Sequence, residues 1–216
     1  MSTAATEVRQ KKTGRRKSAR MILLKTLLWL LCLTPLTILL WRFRTGNLGA
    51  NPAEFLSHRT GWWTLTLIMA TLTITPLRRL TGWNQLIQFR RPIGLFAFFY
   101  GCLHLSTYVV FDQFFDFSAM LEDIRKRPYI TVGFTAFVLM IPLALTSTKG
   151  WIRRLGKRWT KLHRLIYLTA ILGVLHFFWK AASKADVREP LIFAAILALL
   201  LALRVWRARP HKHVRA

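Results

Sequence analysis

Between Met21 and Trp41 the chain carries a single charge, Lys25, in 21 residues. About 20 apolar residues in a helix span the hydrocarbon of a bilayer. No water reaches backbone groups there, so a helix must satisfy them internally. Five further segments read the same way: Trp62–Leu77, Ile93–Phe111, Ile130–Thr148, His163–Trp179 and Pro190–Trp206. The expected fold is an all-α integral membrane protein, a six-transmembrane-helix bundle. Trp62–Leu77 is short and Thr-rich, but threonine hydroxyls can bond back to the helix. Pro35, Pro76 and Pro142 fall inside or at the ends of spans, where bilayer bundles tolerate them. The connections run roughly 10–20 residues, so neighbouring helices should pack antiparallel and little chain remains for any extramembrane domain.

Composition sharpens this reading. Hydrophobic residues make up 53%, yet 33 Lys and Arg face 8 Asp and Glu, a net charge of +25. Such a charge alone would suggest nucleic acid, but the apolar content argues against that partner and against a disordered basic chain. Twenty-four of the basic residues fall before the first span, at Lys25, or in every second connection and the tail. The second connection holds Arg78, Arg79, Arg90 and Arg91, and the fourth runs from Lys149 to Arg164. Glu54, Asp112, Asp116, Glu122, Asp123, Asp186 and Glu189 all lie on the opposite side. Basic residues mark the cytoplasmic face, so both termini are expected in the cytoplasm. A five- or seven-span arrangement would break the alternation. The domain reading is a basic N-terminal extension at 1–20, a membrane domain at 21–206 and a basic tail at 207–216. The first span lacks a prompt small-residue cleavage site and reads as an uncleaved helix, not a secretory signal. Tryptophans gather at span ends as an interfacial belt, and the basic connections suit anionic lipid.

Cys32 and Cys102 lie in apolar runs without metal spacing, so neither a zinc site nor a disulfide framework is expected. The histidines are more informative. His211 and His213 belong to the basic tail, and His58 reads as an interfacial residue before the second span. His104 and His176 lie inside spans, where ionisable groups are costly and usually face the bundle interior. His104 is 11 residues past Ile93 and His176 is 13 past His163, placing them about 16 and 20 Å up two parallel helices. Two imidazoles at one depth on two helices meet the requirement of bis-histidine haem ligation. Gly94, Gly101 and Gly173 would leave room for a flat macrocycle, and Phe98, Phe99, Tyr100, Tyr108, Phe177 and Phe178 would line it. The alternative is that each histidine simply bonds a neighbouring helix. No Asp or Glu lies within the spans, which argues against a proton-conducting transporter. His163 sits at the cytoplasmic end of span five, open to an inner haem, a flavin or a quinone. Treated as one ideal helix, span five would turn His163 and His176 to different faces, about 220° apart. One face-repeat below His104 stands Arg90, a poor iron ligand and a good partner for a propionate or phosphate.

The ordered segments GNLGANPAEFLSHRTG, LTLIMATLTITPLRR, RRPIGLFAFFYGCLHLSTY, KRPYITVGF, LALTSTKGWIRRLGKRWTKLHRLIYL and LGVLHFFW resemble the MsrQ (YedZ) family. Members are haem-binding membrane subunits of the bacterial periplasmic methionine-sulfoxide reductase system, in the ferric-reductase-like transmembrane superfamily. The resemblance covers nearly all of the chain after residue 21. It implies b-type haem at His104 and His176, with His163 as a third haem-associated position and the haem count open between one and two. It also implies FMN, whose phosphate Arg90 and Arg91 in the basic connection would meet. By the same resemblance, electrons from the quinone pool or a cytoplasmic flavin would cross the bacterial inner membrane. They would reach a periplasmic molybdopterin-containing catalytic subunit (MsrP) that repairs oxidised methionine in proteins. The sequence itself carries no dinucleotide fingerprint or P-loop, so substrate chemistry is assigned to the partner. Two other readings stand beside this one: a ferric-reductase-like cytochrome b acting directly, and a non-redox transporter or assembly factor.

Overall fold

The computed structural model describes residues 2–183 and 185–206; the basic tail 207–216, with His211 and His213, lies outside them. All regular structure among the described residues is helical. The first helix, α1 (Ser2–Arg44), forms a unit by itself and continues through Pro35. It contains the first apolar segment, where Thr34 donates its hydroxyl to the Leu30 carbonyl at 2.9 Å.

The second unit begins at Leu48. Its first helix, α2 (Pro52–Thr81), starts at an Asn51 cap that accepts the Glu54 amide at 3.2 Å, with Pro52 in the first turn. It runs through Pro76 and stops at Gly82, whose φ of +68° suits glycine. The hydroxyls of Thr60, Thr64, Thr71 and Thr73 bond carbonyls four residues earlier at 2.8–2.9 Å. Each polar group is thereby hidden against its own helix. A short 3-10 turn (Asn84–Phe89) leads into α3 (Arg90–Thr107), which ends in a π-helical turn (Tyr108–Asp112). After it, α4 (Phe117–Lys126) is a short amphipathic helix capped by Asp116, which accepts the Ala119 amide at 3.0 Å.

Then come α5 (Pro128–Leu145), α6 (Lys149–Leu155) and α7 (Lys157–Leu162). The last two are α8 (Leu165–Ala182) and α9 (Arg188–Trp206). Within this unit α2 lies along α3, α5 lies along α8, and α9 packs on both α8 and α2. Tyr100, Thr60, Ala170 and Thr169 fill the interior. Leu95, Phe134, Leu168, Ile171, Leu191, Ile192 and Leu199 face outward. Apolar surface that extensive belongs against lipid.

Among the described residues five stretches are long and apolar enough to cross a membrane: Ala19–Arg44, Asn84–Asp112, Pro128–Leu145, Lys157–Ala182 and Arg188–Trp206. The protein is a multi-pass membrane protein. The sixth expected segment, Trp62–Leu77, is helical throughout inside α2, but its threonines dilute the hydropathy below that of the other five. One expectation needs correcting. Span five is not a single helix from His163, because the chain turns at His163 and Arg164 before α8 begins. A rotation counted along an ideal helix therefore does not relate His163 to His176.

Candidate metal centre

α3 carries His104 in the sequence GCLH and α8 carries His176 in GVLH. Their rings face each other with centroids 6.1 Å apart and planes at 72°. His104 Nδ1 lies 2.9 Å from the Ser57 carbonyl oxygen of α2, and His176 Nδ1 lies 2.7 Å from the Tyr129 carbonyl oxygen of α5. A carbonyl oxygen only accepts, so each Nδ1 carries the proton. In each neutral ring Nε2 is then the nitrogen with a free lone pair. This is the usual arrangement of a metal-binding histidine, in which a bond at one nitrogen fixes the tautomer and orientation of the other.

The separation fits one shared ion. Two metal–nitrogen bonds of about 2.1 Å, with the imidazole radius added on each side, put ring centroids about 6–6.5 Å apart. Among the described residues no group of three or more His, Cys, Asp or Glu is arranged to hold a metal. Two opposed imidazoles without further protein donors suit an ion whose remaining ligands come from a macrocycle.

A second cluster lies at the basic end of the same helices. The His163 ring stacks on Trp159 at 3.8 Å and 25°, and its Nδ1 meets the Trp159 carbonyl at 3.1 Å. His163 Nε2 is buried without a hydrogen-bond partner, and so is Arg91 Nε. Arg90 and Arg91 are the cations facing His163. The Arg91 guanidinium donates to the Ser147 carbonyl, and the Trp159 indole donates to the Thr146 carbonyl at 2.9 Å. Two successive carbonyls past the end of α5 thus anchor both members of the cluster. Arg90 closes the 3-10 turn, its backbone amide donating to the Ile87 carbonyl, and opens α3 one turn below Gly94.

The structure therefore brings His104 and His176 together and groups His163, Arg90 and Arg91 separately. His58 belongs to neither group. Its Nε2 lies 3.5 Å from Glu189, and its ring meets Phe177 edge-on at 5.7 Å. The expected aromatic lining is mostly spent on helix packing. Phe98 stacks on Phe137, Tyr100 faces Trp63, and Phe177 turns to His58 and Phe193. The Tyr108 hydroxyl donates to Asp123 at 3.1 Å. That carboxylate also takes Gln113 and Arg127, so much of the acidic stretch is occupied inside its own loop. Sequence reasoning missed the carbonyls of Ser57 and Tyr129 and the Trp159 ring.

A family model described as "Ferric reductase like transmembrane component" matches residues 60–174. Curated relatives called "Protein-methionine-sulfoxide reductase heme-binding subunit MsrQ" align over most of the chain. The Herminiimonas arsenicoxydans protein is 54% identical over 190 residues, 88% of this chain and 87% of the relative. The Ralstonia nicotianae protein is 55% identical over 179 residues, 82% of each. The chain belongs to the MsrQ family of ferric-reductase-like transmembrane proteins. A Xanthomonas campestris pv. campestris relative extends the match to 198 residues at 50% identity, 89% of this chain and 90% of the relative. No solved structure matches. The matched family region runs from Thr60, beside the Ser57 carbonyl, through α3 and α5 into α8. It takes in His104, Tyr129 and the start of α8, and stops two residues short of His176, while Ser57 precedes it.

Proposed function

We propose that this protein is the haem-binding membrane subunit of a protein-methionine-sulfoxide reductase system. In that system it passes electrons from the quinone pool, or a cytoplasmic flavin, to a periplasmic molybdopterin-containing catalytic subunit. The observation that carries the reading is the pair of opposed imidazoles, each with Nδ1 held by a carbonyl and Nε2 left free. The name shared by the relatives supports haem as the ligand. Haem b, when bound, supplies a one-electron iron couple. His104 and His176 would hold it from two helices through their imidazole nitrogens, leaving substrate to the partner subunit. The Ser57 and Tyr129 carbonyls keep both imidazoles in one tautomer. Arg90 and Arg91 offer positive charge to a propionate or to the phosphate of FMN. His163, with its unpartnered Nε2, is placed to meet a second cofactor at that end.

The topology that serves this transfer has six spans, with α2 as the second, both termini in the cytoplasm and the acidic loops outside the bacterial inner membrane. The alternating basic connections support it. Substrate chemistry sits on the partner.

The test is a spectrum of detergent-purified wild type, His104→Ala and His176→Ala. Wild type is expected to show a low-spin bis-imidazole haem, and each variant to lose it. Two variants with full, unaltered haem would sink the ligand assignment. Removing the molybdopterin partner should abolish quinol-dependent methionine-sulfoxide reduction and leave the haem spectrum unchanged. Sulfoxide reduction that persists without the partner would overturn the division of labour.

A further inference from the structure

The hydrogen bonds of His104 and His176 have a hidden regularity. His104 bonds a carbonyl 47 residues earlier, and so does His176. Four residues past each accepting carbonyl stands a glycine, Gly61 in α2 and Gly133 in α5. An offset of 72 residues superposes Ser57 on Tyr129, Gly61 on Gly133, Gly101 on Gly173, Leu103 on Leu175 and His104 on His176. The helices obey the same correspondence. α2 lies along α3, and α5 lies along α8.

The glycine has a physical reason. In an α-helix the carbonyl of residue i bonds the amide of residue i+4. Side chains tilt towards the helix N-terminus, so a Cβ at i+4 leans over that carbonyl and shields its second lone pair. Only glycine leaves the carbonyl open to an imidazole arriving from a neighbouring helix. A Cβ at Gly133 would lie 2.5 Å from His176 Nδ1, and one at Gly61 would lie 3.0 Å from His104 Cε1. At Gly133 the His176 ring would have to leave its place, and at Gly61 the His104 ring would have to give by a few tenths of an ångström. Glycines elsewhere on these helices differ. A Cβ at Gly94 would meet only Thr71, at 3.8 Å, an ordinary contact.

We propose that the histidine pair is built on two helix pairs of like layout, α2–α3 and α5–α8, in which Gly61 and Gly133 are positioning residues that hold each imidazole on an exposed carbonyl. Each helix pair supplies one ligand, one carbonyl acceptor and one glycine, and the two rings come within 6.1 Å of each other, centroid to centroid. The inference rests on His104 and His176 being axial haem ligands. It adds that their orientation is set by two residues that never touch the metal. Loss of an outer partner of a metal-bound histidine typically costs about 10–100-fold in affinity.

The experiment compares purified full-length wild type with Gly133→Ala, Gly61→Ala and Gly94→Ala. It reads haem per chain, low-spin electron paramagnetic resonance and midpoint potential. Gly133→Ala is expected to lose most of the low-spin signal, with haem affinity down about tenfold or more. Gly61→Ala, with the looser contact, is expected to keep haem but shift its resonance positions and potential. Gly94→Ala is expected to match wild type. If Gly133→Ala does not accumulate, Gly61→Ala decides alone. Wild-type resonance and potential in Gly61→Ala and in any recovered Gly133→Ala would overturn the proposal. A change of equal size in Gly94→Ala would overturn it too, because any added methyl would then suffice. Wild type without a bis-imidazole signal would instead overturn the haem reading on which this one rests.

Discussion

The two ends of α3 and α8 hold histidine chemistry of opposite kinds. At one end His104 and His176 are matched: each has its Nδ1 on a carbonyl, and the two rings lie 6.1 Å apart. At the other end His163 has no second imidazole. Its neighbours are a tryptophan face, the Leu143 backbone and two arginines, and its Nε2 is buried without a well-formed hydrogen bond. Two neutral donors facing each other make a metal site without bringing net charge. One donor among guanidinium groups makes a place for an anion or for a cofactor that carries one. The same pair of helices thus separates a ligand function from an electrostatic one.

The largest test of that contrast sets His176→Ala against His163→Ala. The first should abolish the low-spin bis-imidazole spectrum and the second should leave it in place. Equal loss in both would erase the distinction. Next, Arg91→Ala removes the guanidinium that ties α3 to the Ser147 carbonyl. A charge-assisted bond of this kind contributes about 1.5–3 kcal/mol, read as a lower unfolding temperature in detergent by tryptophan fluorescence. The spectrum assigned to the outer pair should not move.

Trp159→Phe keeps a ring under His163 but deletes the indole donor to Thr146. The expected loss is about 1 kcal/mol, with His163 modified faster by an imidazole-acylating reagent and the outer pair unaffected. The smallest effect is expected at Thr60, buried beside His104. Its hydroxyl bonds its own helix at Leu56 and lies 3.5 Å from His104 Nδ1. Thr60→Val should cost about 0.5 kcal/mol and leave the spectrum unchanged, because the Ser57 carbonyl is the better acceptor. A spectral change there would show that the hydroxyl helps hold the ring.

Much of this was legible in the sequence because it depends on residue type. Apolar runs located the helices, and a depth count placed His104 and His176 at one level. The hydrogen-bond acceptors were not legible, since Ser57 and Tyr129 act through carbonyls that every residue has. The trace they left was the glycine four positions on. Sequence reasoning looked instead at Gly94, Gly101 and Gly173, whose neighbours are Thr71, Phe137 and Thr64, and Leu65; these serve helix packing. The turn at His163 was also hidden, because neither Pro nor Gly marks it. It is held by Trp159, four residues earlier, through a ring stack and a carbonyl.

The threonines of α2 bear on how the protein reaches its membrane. A helix whose hydroxyls are folded back onto its own carbonyls is polar by composition and largely apolar by surface. Released into lipid as a lone segment, it gains less than the Leu- and Phe-rich helices around it. Its favourable position is against α3, which follows after one short turn and is the more apolar of the two. With α2 as a sixth span, the unit of insertion would be the α2–α3 hairpin, the second helix to leave the ribosome carrying the first into the bilayer.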